Sequence, residues 1–203
     1  MMSAAPTVFL VDDDASFLTA VSRLLRAGGY PVKTFSSADE FVKNPPPDLT
    51  GCIIVDLHMP GMSGLEFQDS LGKSGCPLPV IFLTGQGDIP ASVRAMRQGA
   101  EDFLTKPVKR EQLFDAVQRA LARNLREREA HSKQQAVRAR FDTLTPRERE
   151  VLSHVVTGKL NKQIAADLDT SERTIKAHRA NLMAKLQVQS VAELVRISQA
   201  LGL

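Results

Sequence analysis

The feature that most constrains the fold of this chain is a series of short apolar segments separated by amphipathic ones. The segments TVFLV, CIIVD and LPVIFLTG are apolar, VKTFSS and DFLT are further strand candidates, and all five precede Lys106. Short apolar segments joined by stretches of helical periodicity are typical of parallel strands that helices cover on both faces. The sequence therefore predicts an α/β domain with a doubly wound sheet built from five βα units.

Ionisable and hydroxyl side chains occur where these predicted strands end. Asp12 and Asp13 follow the first strand, Asp56 ends the third, Thr84 ends the fourth, and Lys106 follows the fifth. In doubly wound sheets, ligands bind beyond the carboxyl ends of the strands. The sequence therefore predicts a site at one edge of the sheet that combines three carboxylates, a hydroxyl and an ammonium.

The chemistry of such a site is limited by the repulsion between its carboxylates. Each like-charge contact costs about 1 kcal/mol in water and about 4 kcal/mol near a protein surface, so a cation is expected there. Oxygen ligands suit Mg²⁺, or Mn²⁺ in its place. A carboxylate held beside a divalent metal and Lys106 is equipped to attack a phosphoryl group, which gives an aspartyl phosphate.

A third consecutive carboxylate, Asp14, directly precedes a predicted helix that begins near Ala15. Negative charge is favoured at the positive end of a helix dipole. We therefore interpret Asp14 as a residue of the helix terminus and Asp12 and Asp13 as the metal-binding pair.

Length and charge indicate two domains with different partners. At 203 residues and 22.2 kDa, the chain is long enough for one ordinary domain and a smaller one. Residues 1–122 hold 11 basic and 14 acidic residues, whereas residues 123–203 hold 15 basic and 9 acidic residues. A basic excess on a small domain fits a polyanionic partner, although it is also found on solvated surfaces.

Neither export nor disulfide bonding is expected from the sequence. The N-terminus, MMSAAPT, has no basic segment followed by an apolar one, so we expect a cytoplasmic protein. Cys52 and Cys76 lie far apart and outside any metal-ligand spacing, which predicts two reduced thiols.

The C-terminal part has the pattern of a helical domain behind a helical linker. After Lys109, 31 residues contain neither Gly nor Pro, and they begin with Leu113, Val117 and Leu121 on one helix face. The segment LTPREREVLSHVVTG then offers Thr145 as an N-cap, Pro146 at the first position, Glu148 for a capping box and Gly158 as a stop signal.

Three further helices are predicted in this domain. The segments NKQIAADL and SERTIKAHRANLMAKL are joined by the residues DT, which is typical of a helix-turn-helix, and SVAELVRISQALG follows. The predicted boundaries are 1–124 for the α/β domain, 125–141 for the linker helix and 142–203 for the all-α four-helix domain.

Together, the motifs VDDD, IIVDLHMPGMSG and FLTGQGDIPASVRAMRQGAEDFLTKP resemble the receiver domain of two-component response regulators of the FixJ type, over roughly residues 6–125. The segments LTPREREVL and NKQIAADLDTSERTIKAHRANLMAKL resemble the LuxR-type helix-turn-helix over residues 143–203. The resemblance implies a flavodoxin-like receiver and a DNA-binding transcriptional regulator. The implied partners are a sensor histidine kinase, promoter DNA, a second copy of the chain after phosphorylation and, as a further candidate, RNA polymerase.

The resemblance also assigns roles to individual residues of the predicted site. Asp56 corresponds to the phosphoacceptor, Asp12 and Asp13 to the acidic pair that holds Mg²⁺, and His58 to the residue that gives a backbone carbonyl to the metal. Thr84 and Lys106 correspond to the residues that contact the phosphoryl oxygens. Phe103 falls at the aromatic switch position, although it could equally be a core residue, and Pro107 is expected to follow a cis peptide bond.

The predicted recognition helix has an apolar face and an opposite face of basic and small residues. Ile175, Leu182 and Leu186, with His178 beside them, are expected to pack inward. Side chains on the opposite face would enter the major groove and read bases; they are Arg173, Lys176, Ala177, Ala180 and Ala184. Contacts with DNA phosphates are expected from Asn161, Lys162, Arg179 and Lys185. Some relatives carry a lysine where this chain has Ala180, so the resemblance does not predict the DNA sequence that is bound.

Three alternatives remain open at this point. Haloacid dehalogenase-like phosphatases also form an aspartyl phosphate, but they carry a second Asp two positions after the nucleophile, where this chain has His58. A phosphorylation-independent DNA-binding regulator could use the receiver only as a dimerisation scaffold. The C-terminal domain could also be a helical bundle with a solvated basic face.

Overall fold

The computed structural model describes residues 5–46, 49–85 and 89–202. Residues 86–88 of the receiver motif and residues 47–48 of the proline-rich segment lie outside the described residues. The chain divides into two compact units, residues 1–128 and 129–203, and each unit is described by itself. The predicted domain boundaries at 124/125 and 141/142 stay predictions.

In the first unit, strands and helices alternate along the chain. The strands are β1 (Thr7–Val11), β2 (Val32–Phe35), β3 (Gly51–Asp56), β4 (Val80–Thr84) and β5 (Asp102–Thr105). The helices are α1 (Ala15–Ala27), α2 (Ala38–Lys43), α3 (Gly64–Ser74), α4 (Ile89–Arg97) and the first part of α5 (Arg110–Asp142). The five predicted βα units are confirmed.

All strand pairs in the sheet are parallel, and the strand order is β2-β1-β3-β4-β5. This is the flavodoxin-like order, in which the connection direction reverses between β1 and β3. The predicted fold class is therefore confirmed, and the two strands that carry Asp12 and Asp56 at their ends flank the reversal.

Successive residues of each central strand face opposite sides of the sheet, and both sides are covered. On one side, Phe9, Ile53 and Phe82 pack in a core beneath α2, α3 and α4. On the other side, Leu10 and Ile81 pack with Leu113 of α5. This double coverage explains why β1, β3 and β4 read as continuous apolar segments.

The second unit is all-helical around one apolar core. It contains α6 (Pro146–Val156), α7 (Asn161–Asp167), α8 (Glu172–Leu186) and α9 (Val191–Ala200), besides the last residues of α5. The side chains of Val151, Ile164, Ile175 and Leu194 are fully buried in it. The predicted four-helix arrangement is confirmed, and the predicted linker segment 125–141 is helical because it lies within α5.

The predicted start and stop of α6 are also confirmed. Thr145 accepts a hydrogen bond from the backbone N–H of Glu148, whose side chain in turn accepts one from the backbone N–H of Thr145. Gly158 follows the helix with a φ of +83°, in the left-handed region that glycine tolerates best.

The cysteines and the hydropathy of the helices complete the description of the fold. Cys52 is buried and Cys76 is half-buried, and both are free thiols as predicted. Among the residues that the structure describes, no helix has the length and apolar character needed to cross a bilayer.

Candidate functional site

Four strands of the parallel sheet end at one edge and bring the predicted site residues together. Asp12 follows β1, Asp56 is the last residue of β3, and Lys106 follows β5. The register pairs Val11 with Val55, so the ends of β1 and β3 lie side by side. The backbone N–H of Lys106 donates to the carbonyl of Thr84 at 2.7 Å, which fixes the loop after β5 against the end of β4.

The ammonium of Lys106 lies between two buried carboxylates. Its Nζ is 2.6 Å from Asp12 Oδ2 and 2.7 Å from Asp56 Oδ1. The side chains of Asp12 and Asp56 are only 2% and 8% exposed, and that of Lys106 is 20% exposed. Among the residues that the structure describes, Lys106 is the only cation paired with these two anions, so the pair of carboxylates is left with an excess negative charge.

Backbone amides hold the second oxygen of each carboxylate. Asp12 Oδ1 accepts from the N–H of Asp14 at 2.9 Å, and Asp56 Oδ2 accepts from the N–H of His58 at 2.7 Å. Both carboxyl groups are thus oriented by the loops that follow their strands. Such fixed orientation keeps a nucleophilic oxygen in place without the cost of ordering it during a reaction.

Burial and ion pairing act against each other on the ionisation of this site. Burial raises the pKa of Asp12 above its ordinary value, and hydrogen bonds from Lys106 and Asp14 only partly offset that effect. Burial would lower the pKa of Lys106, but its hydrogen bonds to Asp12 and Asp56 outweigh burial and raise it. The lysine therefore stays charged, while Asp12 still lacks enough positive charge around it.

An open cleft of about 400 Å³ lies over these groups. Its lining residues are Asp12, Asp13, Asp14, Asp56, His58, Gly85 and Lys106. Asp13 is exposed, as is His58. The cleft gives a phosphate-sized ligand access to Asp56 from solvent.

Asp14 takes a structural position at the cleft, as predicted. Its Oδ1 accepts from the backbone N–H groups of Ser16 at 2.8 Å and Phe17 at 3.1 Å, so it is the N-cap of α1. Because this oxygen is engaged by the helix, the division of the three aspartates into a pair and a cap has a geometric basis.

The donor set of the cleft fits a hard divalent cation. All of its anionic groups are carboxylates, and oxygen donors are what Mg²⁺ and Mn²⁺ bind. Within residues 5–46, 49–85 and 89–202, however, no group of three or more His, Cys, Asp or Glu side chains is arranged to hold a metal. The metal assignment of Asp12, Asp13, Asp56 and the His58 carbonyl therefore stays a prediction.

The predicted switch residues lie near the same edge of the sheet. Thr84 is fully buried at the end of β4. Phe103 on β5 is half-buried, and its ring stacks on that of Phe82 with centroids 5.9 Å apart. The peptide bond between Lys106 and Pro107 is cis, which confirms that expectation.

In the helical unit, α7 and α8 are joined by a short turn in which Asp169 has a φ of +47°. Ser171 caps α8 by accepting from the backbone N–H of Thr174. The predicted inner face is confirmed, since Ile175, Leu182 and Leu186 are buried and His178 is half-buried. The predicted outer face is also confirmed as exposed; it consists of Arg173, Lys176, Ala177, Ala180 and Ala184.

The residues predicted to contact DNA phosphates differ in their surroundings. Lys162 is exposed at the start of α7. Arg179 donates to Asn161 Oδ1 at 2.6 Å, which joins α8 to the start of α7. Lys185 lies 2.7 Å from Glu148 and also donates to the carbonyl of Thr143 at 3.3 Å, so it has a structural role within the unit. Phosphate contacts by these residues stay predictions.

Comparison with known proteins agrees with both units. The response regulator receiver domain matches residues 8–118, and the luxR family of bacterial regulatory proteins matches residues 142–198. This chain belongs to the response regulators. The fold and family predictions are therefore confirmed: it is a two-component response regulator with a receiver and a LuxR-type DNA-binding domain.

Known response regulators are similar in sequence to this one over nearly the whole chain. Nodulation protein W of Bradyrhizobium diazoefficiens is 42% identical over 99% of this chain and 88% of its own length. The transcriptional regulatory protein FixJ of Rhizobium meliloti is 41% identical over 97% of this chain and 96% of its own. Among solved structures, the response regulator StyR is 43% identical with a TM-score of 0.88, covering 97% of this chain and 99% of that one.

Family membership also bears on the phosphatase alternative. The residue two positions after Asp56 in this response regulator is His58, whose side chain is exposed and whose backbone N–H donates to Asp56. The position of the phosphatase general acid is therefore filled by a residue that orients the carboxylate through its backbone. The regulator interpretation is favoured over the enzyme.

Sequence reasoning missed three contacts in this response regulator. Phe17 lies against the ammonium of Lys106, with Nζ 4.0 Å from the ring centroid. Asn124 is buried and accepts from the N–H of Gly51 while donating to the carbonyl of Pro77, which ties α5 to the start of β3. The third contact is the Glu148–Lys185 pair, of which only the capping role of Glu148 was readable from its spacing to Thr145.

Proposed function

We propose that this response regulator accepts a phosphoryl group on Asp56 from a sensor histidine kinase, and that phosphorylation promotes dimerisation and promoter binding. The observation that carries the proposal is the position of Lys106 between Asp12 and Asp56 at the floor of a solvent-accessible cleft. Because a regulator of this kind acts where the DNA is, the proposal includes a cytoplasmic location.

The chain's own residues supply the nucleophile and much of the charge for this transfer. An oxygen of Asp56 forms a bond to phosphorus while the bond between phosphorus and the donor histidine nitrogen breaks, and that nitrogen keeps the electron pair. His58 holds Asp56 through its backbone N–H, and Lys106 can turn from the carboxylate towards a phosphoryl oxygen. When bound, Mg²⁺ held by Asp12, Asp13, Asp56 and the His58 carbonyl would supply further charge for the phosphoryl oxygens.

Phosphorylation then changes the balance of charges around the end of β4. It adds roughly two negative charges beside Thr84 and Lys106. In the proposed switch, Thr84 moves towards the phosphoryl group and Phe103 turns inward. Moving such a switch from about 1% to about 99% active takes about 5.5 kcal/mol of differential stabilisation, so some active form exists without phosphate.

The surface formed by α4, β5 and α5 is suited to dimerisation. Ile89, Val93 and Met96 lie on one face of α4, and they are 75%, 45% and 48% exposed. Arg119 of α5 pairs with Asp102 of β5, the strand that contacts α4. An apolar stripe with a charged border is the composition expected of a protein interface.

Labelling of Asp56 tests the acceptor assignment. The full-length protein is incubated with acetyl phosphate and Mg²⁺, and its intact mass is measured. We expect one phosphoryl group per chain, none on Asp56→Asn, and an undiminished amount on Asp115→Asn, in which an exposed carboxylate of α5 is changed. Labelling of Asp56→Asn to the same extent would refute the assignment, and repeated turnover of a phosphate ester would favour the phosphatase.

DNA binding tests the second half of the proposal. Sequences selected with the phosphorylated protein are titrated with phosphorylated and unphosphorylated chains. Lys176→Ala is expected to lose about 1 to 3 kcal/mol of binding on the selected sequence, whereas Lys162→Ala weakens all sequences alike and lowers the salt dependence. Equal affinity and equal dimerisation with and without phosphate would favour the phosphorylation-independent scaffold.

A further inference from the structure

One side of the Lys106 ammonium is covered by an aromatic ring. The Nζ of Lys106 lies 4.0 Å from the centroid of the Phe17 ring, well within the distance at which a cation is attracted to an aromatic face. Two of the three ammonium N–H groups are directed to Asp12 and Asp56. The ring thus makes a third contact that restricts where the ammonium can lie.

The acidic loop itself holds the ring in this position. Phe17 is in the first turn of α1, and its backbone N–H donates to Asp14 Oδ1 at 3.1 Å. Asp14 also donates through its own N–H to Asp12 Oδ1. The segment that supplies the carboxylates of the cleft therefore also anchors the ring against their cation.

The contact between the Lys106 ammonium and the Phe17 ring includes an electrostatic attraction in addition to packing. The attraction between a cation and a ring increases when the cation is removed from water, and the Lys106 side chain is only 20% exposed. A hydrocarbon side chain of similar size would fill the same space but would not attract the ammonium. The ring can therefore hold the charge in the cleft when one carboxylate releases it.

We propose that Phe17 is a positioning residue for phosphoryl transfer, which keeps the Lys106 ammonium over the cleft as it moves from Asp56 towards a phosphoryl oxygen. The inference rests on the proposed phosphorylation of Asp56. Without the ring, the ammonium would sample more positions, and fewer of them would stabilise the charge that develops on the phosphoryl group.

An alternative role for Phe17 is that of an apolar residue at the edge of the core. It is half-buried and packs against the cluster that contains Leu10, Val21 and Leu83. The two roles predict different results for conservative substitutions. Phe17→Leu keeps an apolar side chain but removes the aromatic face, whereas Phe17→Tyr keeps the face.

The experiment measures the rate of Asp56 phosphorylation in the full-length protein with acetyl phosphate and Mg²⁺. Phe17→Leu is expected to slow labelling by about 3- to 10-fold, and Phe17→Tyr is expected to restore it to within about 2-fold of the parent. Phe114→Leu is a matched control, because that ring lies 5.3 Å from the Arg110 guanidinium and outside the acidic cleft. It should leave the rate unchanged.

A spectroscopic measurement separates this inference from the acceptor assignment. The ε-methylene protons of Lys106 are expected to be shifted upfield by the ring in the parent protein and in Phe17→Tyr, but not in Phe17→Leu. Absence of labelling in the parent, with the shift present, would refute the proposed function and with it the role of Phe17 in transfer, whereas the contact between the ring and the ammonium would stand. Unchanged labelling of Phe17→Leu, equal slowing of both variants, or absence of the shift would overturn the role of Phe17.

Discussion

Each of the two units contains a buried carboxylate paired with a lysine at almost the same distance. In the receiver, Lys106 lies 2.6 Å from Asp12, and in the helical unit Lys185 lies 2.7 Å from Glu148. Both carboxylates are nearly inaccessible to solvent. The pKa values of the two groups nevertheless move in opposite directions, since that of Asp12 is raised and that of Glu148 is lowered.

The difference comes from what else surrounds each pair. Burial opposes the charge of Glu148, but hydrogen bonds from Lys185 and Thr145 outweigh it, and no second acid among the described residues forms an ion pair with Lys185. Burial raises the pKa of Asp12 by more than the hydrogen bonds from Lys106 and Asp14 lower it, and Asp56, which shares the lysine, adds a smaller increase. The Glu148–Lys185 pair, in which one anion meets one cation, is balanced and stabilises its fold. The receiver group, in which Lys106 faces both Asp12 and Asp56, is unbalanced and can accept additional positive charge from a ligand.

The largest expected effect is that of removing the shared cation. Lys106→Met leaves two buried carboxylates without their ion pair, and breaking a buried pair in this way costs about 3 to 5 kcal/mol. Hydrogen exchange of receiver peptides in the full-length protein measures the loss in the free energy of opening. Part of the loss should return as the pH falls, because one carboxylate can take up a proton.

The control for this variant is Lys109→Met, three residues further along and exposed. It should change the free energy of opening by less than about 0.5 kcal/mol. If Lys106→Met also opened no more easily than the parent protein, the ammonium would not be what balances the two carboxylates.

Neutralising Glu148 tests the balanced pair. Glu148→Gln retains an amide oxygen that can accept from Thr145, but it leaves the Lys185 ammonium without an anion. We expect a loss of about 1 to 2 kcal/mol in the helical unit, since Lys185 can still reach solvent. Glu150→Gln on the same helix removes an exposed pair with Arg147 and should change the free energy of opening by less than about 0.5 kcal/mol.

These pairs also mark how far the sequence could predict the structure. The strands, the start and stop of α6 and the grouping of Asp12, Asp56 and Lys106 could be predicted, because periodicity and capping are local and parallel strands all end at one edge. The Glu148–Lys185 pair spans 37 positions and the Gly51–Asn124 hydrogen bond spans 73, and neither has a local signal. Such contacts depend on the packing of whole helices.

The same limit applies to the candidate DNA-binding surface. From the sequence, Lys185 of α8 is predicted to contact DNA phosphate, and that contact stays a prediction. Its pairing with Glu148 becomes visible only once α6 and α8 are packed together. In contrast, the exposed and buried faces of α8 follow directly from a helical wheel, and both were predicted correctly.

Neutralising Asp12 should change the free energy of opening in the opposite direction to neutralising Glu148. Asp12→Asn keeps an oxygen that can accept from the N–H of Asp14, relieves the repulsion with Asp56, and leaves Lys106 paired with Asp56 alone. We expect the receiver to gain up to about 1 kcal/mol in its free energy of opening. Asp115→Asn, outside the cleft, should give no gain. A loss of stability in Asp12→Asn would mean that the charge of Asp12 is compensated by Lys106 as fully as the charge of Glu148 is by Lys185.

The smallest expected effect is the pH dependence of the changes in the free energy of opening caused by Asp12→Asn and Glu148→Gln. It distinguishes the two ion pairs most sharply. The pKa of Asp12 lies above its ordinary value of 3.8, so its charge destabilises the folded receiver fully only above that raised pKa. As the pH falls through it, Asp12 takes up a proton and the advantage of Asp12→Asn disappears. The pKa of Glu148 lies below its ordinary value of 4.5, so its stabilisation is complete above 4.5 and is lost only as the pH falls through the lower value. Hydrogen exchange corrected for the intrinsic rate at each pH should therefore show the two changes in the free energy of opening approaching zero from opposite sides as the pH falls. If both changes approached zero from the same side, the surroundings would be shifting the pKa values of the two carboxylates in the same direction.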